Sequence, residues 1–317
     1  MIFRLKRWMP LVAVMCVAGI VSCNTSPKEK QDTPTSGVIR ISADETFAPI
    51  IQQEIDVFES TYPDAGIVPE YVSEVEAITM LIRDSVRLAV TTRSLTKEEE
   101  AALNSKKLFP KTVKIATDGI ALIINKQNPD SLIRVSDIRK ILTGEITDWN
   151  QIYPKSNLGK IQLVFDNANS STVRFAIDSI CQGKPLSPDL RAQKSNSGVI
   201  DYVAQDQNAI GVIGASWIGN KSDTTNLSFS DKITVMNVTA DDVATLANSY
   251  KPYQAYLAMG TYPLTRDVYI IVTDPRSGLP TGFTTFVSSD KGQRIILKAG
   301  MVPATQAIRI VNVRDEL

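Results

Sequence analysis

Between positions 164 and 174 the chain reads Val164-Phe-Asp-Asn-Ala-Asn-Ser-Ser-Thr-Val-Arg174, where an apolar run passes through a polar turn into a second apolar segment. The run from Ile161 to Phe165 predicts a strand, and the apolar spacing from Val173 to Ile180 predicts a helix. Ser170 is a suitable N-cap for that helix. Unpaired backbone N–H groups and the positive end of the helix dipole favour a small anion beside its hydroxyl groups. The alternative is an ordinary capped helix with no ligand.

Two more junctions of the same kind come earlier in the chain. Thr46 and Phe47 follow a strand-like run, and an amphipathic helix begins just after them. The segment Thr91-Thr92-Arg93 follows another apolar run, Val86 to Val90, and also leads into a helix. Strands and helices alternate in this way along the chain, which predicts an α/β fold with a mainly parallel sheet. Ligands of such sheets lie at the carboxyl ends of the strands, so all three junctions are candidates for one binding site.

The composition restricts the classes of function. The chain of 317 residues is long enough for two domains, and its 43% hydrophobic and 21% charged content is typical of a soluble globular protein. Histidine is absent, which removes the commonest general base and the commonest transition-metal ligand. The sequence also lacks a G-x-S-x-G motif, a P-loop and a dense carboxylate cluster. We therefore expect no enzyme, no metal and no cofactor.

The first 22 residues have the pattern of a secretory signal peptide. The basic start Arg4-Leu-Lys-Arg7 precedes an apolar run that is too short to span a bilayer comfortably. The segment Gly19-Ile-Val-Ser-Cys23 resembles the lipobox of bacterial lipoproteins, which implies cleavage before Cys23 and lipidation of its thiol. The alternative is a cleaved protein that is freely soluble. Residues 23–37 are rich in serine, threonine, proline and lysine and predict a flexible tether.

The net charge limits the kinds of partner. Without residues 1–22, which carry three basic and no acidic groups, the chain has a net charge of −3. A surface of this sign does not attract nucleic acid or an anionic membrane. An anion site must therefore rely on local dipoles and hydroxyl groups. Cys16 lies in the signal peptide and Cys23 is the lipid acceptor, so Cys181 has no partner for an intrachain disulfide.

Five segments carry a family resemblance and follow one another in the family's order: Asp118-Gly-Ile-Ala-Leu-Ile-Ile-Asn-Lys-Gln-Asn-Pro129, Ile141-Leu-Thr-Gly-Glu-Ile-Thr-Asp-Trp-Asn150, Ala209-Ile-Gly-Val-Ile213, Tyr262-Pro-Leu-Thr-Arg-Asp-Val-Tyr269 and Lys291-Gly-Gln-Arg-Ile-Ile-Leu-Lys-Ala-Gly-Met-Val-Pro303. They resemble the phosphate-binding proteins of bacterial phosphate ABC transporters. The resemblance implies a two-lobe type II periplasmic binding protein fold, in which each lobe is a mainly parallel sheet flanked by helices and the ligand lies in the cleft. It places lobe one at residues 38–117 with 267–317 and lobe two at residues 118–266.

The resemblance also implies which residues hold the ligand. In the family, hydroxyl groups and backbone amides from both lobes bind phosphate. The corresponding positions in this chain are Thr46, Phe47, Thr91, Thr92, Arg93, Ser170, Ser171 and Thr172. A further serine of the family falls near Ser73, although the neighbouring Glu74 and Glu76 would repel an anion.

Two positions depart from the family pattern. Thr92 stands where well-known members carry an aspartate that accepts the proton of hydrogen phosphate, and Asp166 stands where they carry an arginine. The hypothesis is that Arg93 supplies the positive charge in this chain and that Asp166 accepts the proton. The alternatives are a surface ion pair for Arg93 and an Asx turn for Asp166. Arg174, four residues after Ser170, is expected to face away from the cleft.

Together these observations predict an exported lipoprotein that captures inorganic phosphate and delivers it to the permease of an ABC transporter. The protein is expected to be a monomer, held by its lipid anchor alone at the periplasmic face or the cell surface. Because of Thr92 and Asp166, a binder of another oxyanion or of a small organic anion is the main alternative. An adhesion or sensing lipoprotein that reuses the fold is a further one.

Overall fold

The structure, a computed structural model, describes residues 32–220 and 228–307. The predicted signal peptide (1–22), the lipidation residue Cys23 and most of the tether lie outside the described residues. In the two described ranges, no helix combines the length and the apolar character needed to cross a lipid bilayer.

Strands and helices alternate along the chain. The strands are β1 (Gly37–Asp44), β2 (Ala65–Val72), β3 (Leu88–Thr91), β4 (Lys111–Ile124), β5 (Leu132–Arg134), β6 (Gln162–Phe165), β7 (Arg191–Ala192), β8 (Ala209–Gly214), β9 (Thr234–Val235), β10 (Asn237–Thr239), β11 (Thr265–Val272) and β12 (Val302–Pro303). The α-helices are α1 (Ala48–Thr61), α2 (Glu74–Ile82), α3 (Lys97–Ser105), α4 (Val135–Thr143), α5 (Ser171–Phe175), α6 (Asn196–Gln205), α7 (Gln254–Ala258), α8 (Leu279–Val287) and α9 (Asp290–Lys298). Short 3-10 turns occupy Glu45–Phe47, Trp149–Gln151 and Ala215–Trp217. The predicted α/β class is confirmed.

One long sheet contains two groups of parallel strands. Its order is β2-β1-β3-β11-β4-β8-β6-β7, with β9 and β12 also paired to β4. β1 pairs in parallel with β2 and β3, and β6 pairs in parallel with β7 and β8. The strand β4 joins the two groups, because it pairs antiparallel with β11 in its first part and with β8 in its second part. We call the half built on β1, β2 and β3 the first lobe, and the half built on β6, β7 and β8 the second lobe.

Each lobe has its own hydrophobic core. In the first lobe, the ring of Phe58 on α1 meets the edges of Phe283 and Phe286 on α8, at centroid distances of 5.4 and 5.3 Å. In the second lobe, Trp149 is fully buried and its Nε1–H donates to the carbonyl oxygen of Asn208. Every residue of β8 is buried, which is typical of a central strand with helices on both faces.

Local sequence signals account for several helix boundaries. Thr96 and Glu99 form a capping box at the start of α3. Gly144 ends α4 with a φ of +81°, a left-handed conformation that glycine adopts without a steric penalty. The helix expected after Ser170 is shorter than its apolar pattern indicates. It covers the five residues of α5 and then widens into a π-helical turn, Ala176–Ile180.

A buried carboxyl group without a partner lies inside the first lobe. The side chain of Glu54, on α1, is fully buried, and neither of its oxygens has a hydrogen-bond partner. Burial raises the pKa of Glu54 to about 9. The folded protein therefore carries this side chain protonated at neutral pH, whereas the unfolded chain releases the proton near the ordinary value of 4.5.

We predict that this difference makes the protein less stable as the pH rises. The contribution of Glu54 is fully present below pH 4.5 and is lost as the pH rises towards about 9. Its limiting slope is about 1.4 kcal/mol of unfolding free energy per pH unit. Glu54→Gln should remove this slope and be more stable than the parent at about pH 8, as measured by urea unfolding across the range.

The matched control is Asp56→Asn, at an exposed position of the same helix. It should keep the slope of the parent protein. Parallel pH profiles for the parent and Glu54→Gln would contradict the prediction.

Candidate functional site

The hydroxyl groups at the start of α5 form a hydrogen-bonded chain. The Thr172 hydroxyl donates to Oδ1 of Asp166 over 2.5 Å, and its oxygen lies 2.7 Å from Oγ of Ser170. Since the single Thr172 proton goes to Asp166, the Ser170 hydroxyl is the donor in the second bond. Ser170 Oγ also accepts from the backbone N–H of Val173, as the predicted N-cap would. The three side chains are buried, so Asp166 is held by the protein's own hydroxyl groups.

A buried ion pair lies next to this chain, on the strands that connect the lobes. Arg266 on β11 donates from Nε and Nη2 to Oδ2 of Asp118 on β4, at 3.1 and 3.0 Å. Its Nη1 donates to Oγ of Ser171 over 2.7 Å, and its guanidinium lies 5.2 Å from the ring centre of Phe47. The side chains of Arg266 and Asp118 are 3% and 0% exposed. Arg266 thus connects the crossing strands, the start of α5 and the turn after β1.

The turn after β1 is pressed against the second lobe. Trp217 donates from Nε1 to the carbonyl oxygen of Thr46 over 2.7 Å. A Cβ atom on Gly214 would lie 2.5 Å from Cγ2 of Thr46 and 3.3 Å from Nη2 of Arg266. Only glycine at the end of β8 allows this close approach between the two lobes.

Several polar atoms around this contact lack a protein partner. They are Oγ1 of Thr46, Oδ1 of Asp118 and both side-chain amide atoms of Asn196, and all are buried. Asn196 belongs to the same region, because its backbone N–H lies near the carboxylate of Glu45 and favours the charged form of that group. Buried polar groups almost always have a partner. The site therefore has hydrogen-bonding capacity that the protein alone does not use.

Burial also changes the acidity of the carboxyl groups in this region. It raises the pKa of Asp118, although the charge and hydrogen bonds of Arg266 oppose the rise. Burial likewise raises the pKa of Asp44. Oδ1 of this carboxyl group accepts a hydrogen bond from the N–H of Thr46. Arg266 opposes this shift as well. A site with one cation and such carboxyl groups suits a ligand that can both accept and donate hydrogen bonds.

The predicted residues at the end of β3 form a second group, beside Glu74 and Arg174. Arg93 makes a bidentate pair with Glu99 of its own lobe, at 2.7 and 2.8 Å, and this pair raises the pKa of Arg93. Thr91 donates its hydroxyl to the carbonyl oxygen of Arg93. Thr92 donates from its N–H and its hydroxyl to Glu74. The charge of Arg93 is thus already neutralised by the carboxylate of Glu99. An ion pair of this kind was the alternative role that the sequence left open for Arg93.

Two expectations about neighbouring residues change. Arg174 was expected to face away from the cleft, but its long side chain crosses the cleft and bonds to Glu74 and Thr92 of the first lobe. The spacing from Ser170 gives the direction of the side chain at its start only. It does not show that a buried carboxylate of the other lobe, Glu74, pairs with the guanidinium group. The Ser73 hydroxyl is used locally as the N-cap of α2, where it accepts from the N–H of Glu76.

The structure therefore divides the predicted site residues into two groups. In the first group, Ser171 and Phe47 contact Arg266, Thr46 lies close to it, and the bonded chain of Ser170, Thr172 and Asp166 adjoins Ser171. In the second group, Thr91, Thr92 and Arg93 lie at the end of β3, where Thr92 bonds to Glu74 and Arg174. The sequence analysis did not assign Arg266, Asp118 or Asn196 to the site. A signal for Arg266 was present, because it is the only basic residue of a strand that ends in the apolar run Ile270-Ile-Val272.

Comparisons with known proteins agree with this architecture. A family model described as a PBP superfamily domain matches residues 28–291. The phosphate-binding protein PstS of Pseudomonas aeruginosa is 23% identical over 293 residues, which cover 87% of this chain and 86% of the relative. PstS of Bacillus subtilis is 22% identical over 306 residues, covering 95% and 92% of the two chains.

Solved structures share the fold. A protein from Clostridium perfringens, assigned to phosphate ABC transport and crystallised with bound phosphate, superposes with a TM-score of 0.70 at 22% identity, covering 84% of this chain and all of that one. An ABC-type phosphate transport receptor from Vibrio cholerae gives a TM-score of 0.64 at 22% identity, with the same coverage. The two-lobe type II fold predicted from the sequence is confirmed.

We predict that Arg266 is essential to the stability of the strand crossing. Arg266→Gln leaves the carboxylate of Asp118 buried without a cation, which typically costs about 3–5 kcal/mol of unfolding free energy. The double variant Arg266→Gln/Asp118→Asn should recover much of that loss, because no charge remains buried. Urea unfolding of the single and double variants measures both effects.

Arg294→Gln is the control, because Arg294 pairs with Asp290 on an exposed helix face and should change stability little. If Arg266→Gln were no more destabilising than Arg294→Gln, the ion pair at the crossing would not be what holds the strands.

Proposed function

Because this chain belongs to the PBP superfamily, we propose that it is an exported substrate-binding protein that captures inorganic phosphate between its lobes and delivers it to an ABC transporter. The superfamily consists of substrate-binding proteins, so the prediction that the chain is not an enzyme is confirmed. The proposal of phosphate as the ligand draws on relatives of nearly equal length that are named phosphate-binding proteins. A similar structure was also solved with phosphate bound.

The observation that carries the proposal is the buried guanidinium of Arg266 beside free hydrogen-bonding atoms. Arg266 already donates to Ser171, and the Thr46 hydroxyl next to it has no protein partner. A phosphate oxygen among these groups would accept from cationic and neutral donors together. The nearby carboxyl group of Asp166 would accept a phosphate proton. Sulfate offers the same oxygens but no proton, so this arrangement discriminates against it.

Hydrogen-bond strengths are sufficient for tight binding. A phosphate that leaves water loses strong hydration, so nearly all its oxygens must accept hydrogen bonds from the protein inside the cleft. Each hydrogen bond to a charged group contributes roughly 1.5–3 kcal/mol net. Five or more such bonds support micromolar or tighter affinity after the entropic cost of association. One arginine in an open cleft would not, so we propose that the lobes close on the ligand.

We assign the ligand contacts to both groups of residues that the sequence identified. Thr46, Phe47, Ser170, Ser171, Thr172 and Asp166 would meet the ligand around Arg266, and Thr91, Thr92 and Arg93 would border the cleft mouth. The lobes would comprise residues 38–117 with 267–317, and residues 118–266. Asp118 and Arg266, whose opposite charges pair on the crossing strands, would mark the boundary between the lobes.

A second candidate ligand is another protonated oxyanion or a small organic acid. It is favoured by the three buried carboxyl groups of Asp44, Asp118 and Asp166, which outnumber the buried cation beside them. These carboxyl groups select for a ligand that brings protons, and phosphate is one member of that class.

Delivery requires a location outside the cytoplasm. We propose that residues 1–22 direct export and that a lipid on Cys23 holds a monomer at a cell-envelope membrane, with residues 23–37 as the tether. The permease of the transporter would be the partner that recognises the closed form. The basic n-region, the apolar run and the lipobox-like segment support this part of the proposal.

We predict that phosphate binds and that the free hydroxyl of Thr46 takes part. Calorimetric titration of refolded, ligand-stripped protein should give micromolar or tighter binding for phosphate and weak or no binding for sulfate. Thr46→Val removes only the hydroxyl, which bonds to no protein group, so affinity should fall roughly tenfold with little loss of stability.

Thr273→Val is a matched control. Its hydroxyl is also buried without a partner, but it lies beyond the far end of β11 from Arg266. It should leave phosphate affinity unchanged. No heat with phosphate would contradict the choice of ligand, and equal affinities for the parent and Thr46→Val would contradict this placement of the site.

A separate prediction concerns the anchor. Cys23→Ser removes the thiol that would carry the lipid, so the exported protein should move from the membrane fraction to the soluble fraction, as measured by fractionation and immunoblotting. Cys181→Ser, at a buried position of the second lobe, is the control and should remain with the membrane. Membrane retention of Cys23→Ser would mean that another feature holds the protein there.

A further inference from the structure

The first residues that the structure describes pack on the first lobe ahead of β1. Residues 32–36, Asp-Thr-Pro-Thr-Ser, form a turn in which the N–H of Thr33 donates to the carbonyl oxygen of Ser36 over 2.9 Å. The hydroxyl groups of the same two residues lie 2.7 Å apart. The N–H of Gly37 then donates to the carbonyl oxygen of Asp64, and β1 follows. This part of the predicted tether is therefore held by hydrogen bonds.

Asp32 supplies a helix cap from a distant part of the chain. The N-cap residue of α8 is Gly278, which has no side chain to cap the helix. Oδ2 of Asp32 accepts a hydrogen bond from the N–H of Leu279, the first residue of α8, over 2.8 Å. A carboxylate at this end of a helix also interacts favourably with the helix dipole. The segment thus completes the start of a helix that lies 247 positions further along the chain.

The same carboxylate forms an ion pair with Arg87, the residue before β3. Nη2 of Arg87 donates to Oδ2 of Asp32 over 2.9 Å, and Nη1 donates to Oδ1 of Asp274 over 3.3 Å. The side chains of Arg87 and Asp32 are 27% and 19% exposed, so solvent screens their pair only in part. Burial acts to raise the pKa of Asp32, but the N–H of Leu279 and the guanidinium of Arg87 lower it below its ordinary value. Asp32 is therefore charged at neutral pH.

The surface that receives the segment has glycine at two positions where a side chain would collide with it. A Cβ atom on Gly278 would overlap the carboxylate of Asp32, and a Cβ atom on Gly282 would overlap the carbonyl oxygen of Pro34. Gly282 lies inside α8, where glycine is less favourable than alanine. The helix therefore carries a residue that weakens the helix itself but lets the segment approach.

This surface lies at the end of the first lobe that is away from the cleft. β11 carries Arg266 near its start, where the lobes meet, and Asp274 follows its other end. An antiparallel strand rises about 3.4 Å per residue, so Val272 lies about 20 Å from Arg266. The neighbouring strand β3 has the same arrangement, because Arg87 precedes it and its last residue, Thr91, belongs to the candidate site.

We propose that residues 32–36 are the attachment segment of the tether, which docks on the start of α8 and fixes the point where the lipid-bearing N-terminus leaves the first lobe. Eight residues, 24–31, then separate Cys23 from the docked segment, and they span at most about 28 Å. The anchor holds the first lobe by its end away from the cleft, and the second lobe moves without hindrance from the tether when the cleft closes on a ligand. The statement about the membrane rests on the lipid anchor proposed above, whereas the docking of the segment does not.

Protease trimming tests the docking whether or not a lipid is present. The full chain, purified in detergent, is digested with proteinase K, and the stable core is identified by N-terminal sequencing. The core of the parent should begin at or before Asp32. Asp32→Ala removes the cap and the ion pair, and Gly282→Ala crowds the carbonyl group of Pro34 without changing any charge. Both variants should lose residues 32–36 at least tenfold faster than the parent.

Two control variants make the trimming test specific. Gly159→Ala adds the same methyl group at an exposed glycine of the second lobe, and Asp56→Ala removes an exposed carboxylate of the first lobe. Both should be trimmed like the parent, and circular dichroism confirms that each variant is folded. A parent core that begins after Ser36, or equal trimming of the parent and both docking variants, would overturn the docking.

Energy transfer in vesicles tests where the tether leaves the fold. A fluorophore is placed on a cysteine introduced at Thr285 of α8 or at Lys155 of the second lobe, both of which are exposed, while Cys181 is buried. Transfer to an acceptor dye in the membrane should be stronger from Thr285→Cys, and adding Asp32→Ala should reduce the difference. Equal transfer from the two positions would overturn the exit point. Protein that does not float with the vesicles would contradict the lipid anchor, while the trimming result still decides the docking.

Discussion

The guanidinium group of one arginine lies almost fully buried where the two lobes meet, and its partners come from both lobes. Arg266 is paired with Asp118 across two antiparallel strands, bonded to Ser171 and stacked near Phe47. Each of these partners comes from a different part of the chain. A buried cation must be paired and hydrogen-bonded on nearly all sides. Its partners therefore fix how β4 and β11 pair, where α5 starts and how closely the turn after β1 approaches the second lobe.

The same constraint defines the chemistry of the cleft. One cation is surrounded by more carboxyl groups than it can neutralise, and burial pushes the pKa values of Asp44 and Asp118 upward. Such a site is poorly suited to an anion with no proton. It suits a ligand that donates as well as accepts, and that property separates phosphate from sulfate more sharply than size or net charge does. The hydroxyl chain from Ser170 through Thr172 ends on Asp166, which adds a further buried carboxyl group in the second lobe.

Much of the fold was predictable from local patterns, because alternating apolar runs and helix caps depend on near neighbours in sequence. The junctions at Thr46 and Ser170 were found in this way, and the N-cap role of Ser170 is confirmed. Arg266 was not assigned, since its importance arises from the register of β4 against β11, which pairs it with Asp118. The roles of Arg93 and Arg174 were also hard to predict, because they depend on side-chain contacts that form only in the folded chain. The family resemblance favoured Arg93 as the cation of the cleft. Only the folded chain shows that Glu99 pairs with Arg93 and that Arg174 reaches across to Glu74.

The order of strands has a consequence for how the chain is made. β11 lies between β3 and β4 in the sheet, although it is the last long strand in the part of the chain that the structure describes. The sheet of the first lobe is therefore incomplete, and Asp118 lacks its partner, until the chain has been synthesised as far as β11. Domains usually fold in turn during synthesis, starting from the N-terminus. Here the first lobe is completed only after the second lobe has been made, because its sheet includes a strand that follows the whole of the second lobe in sequence.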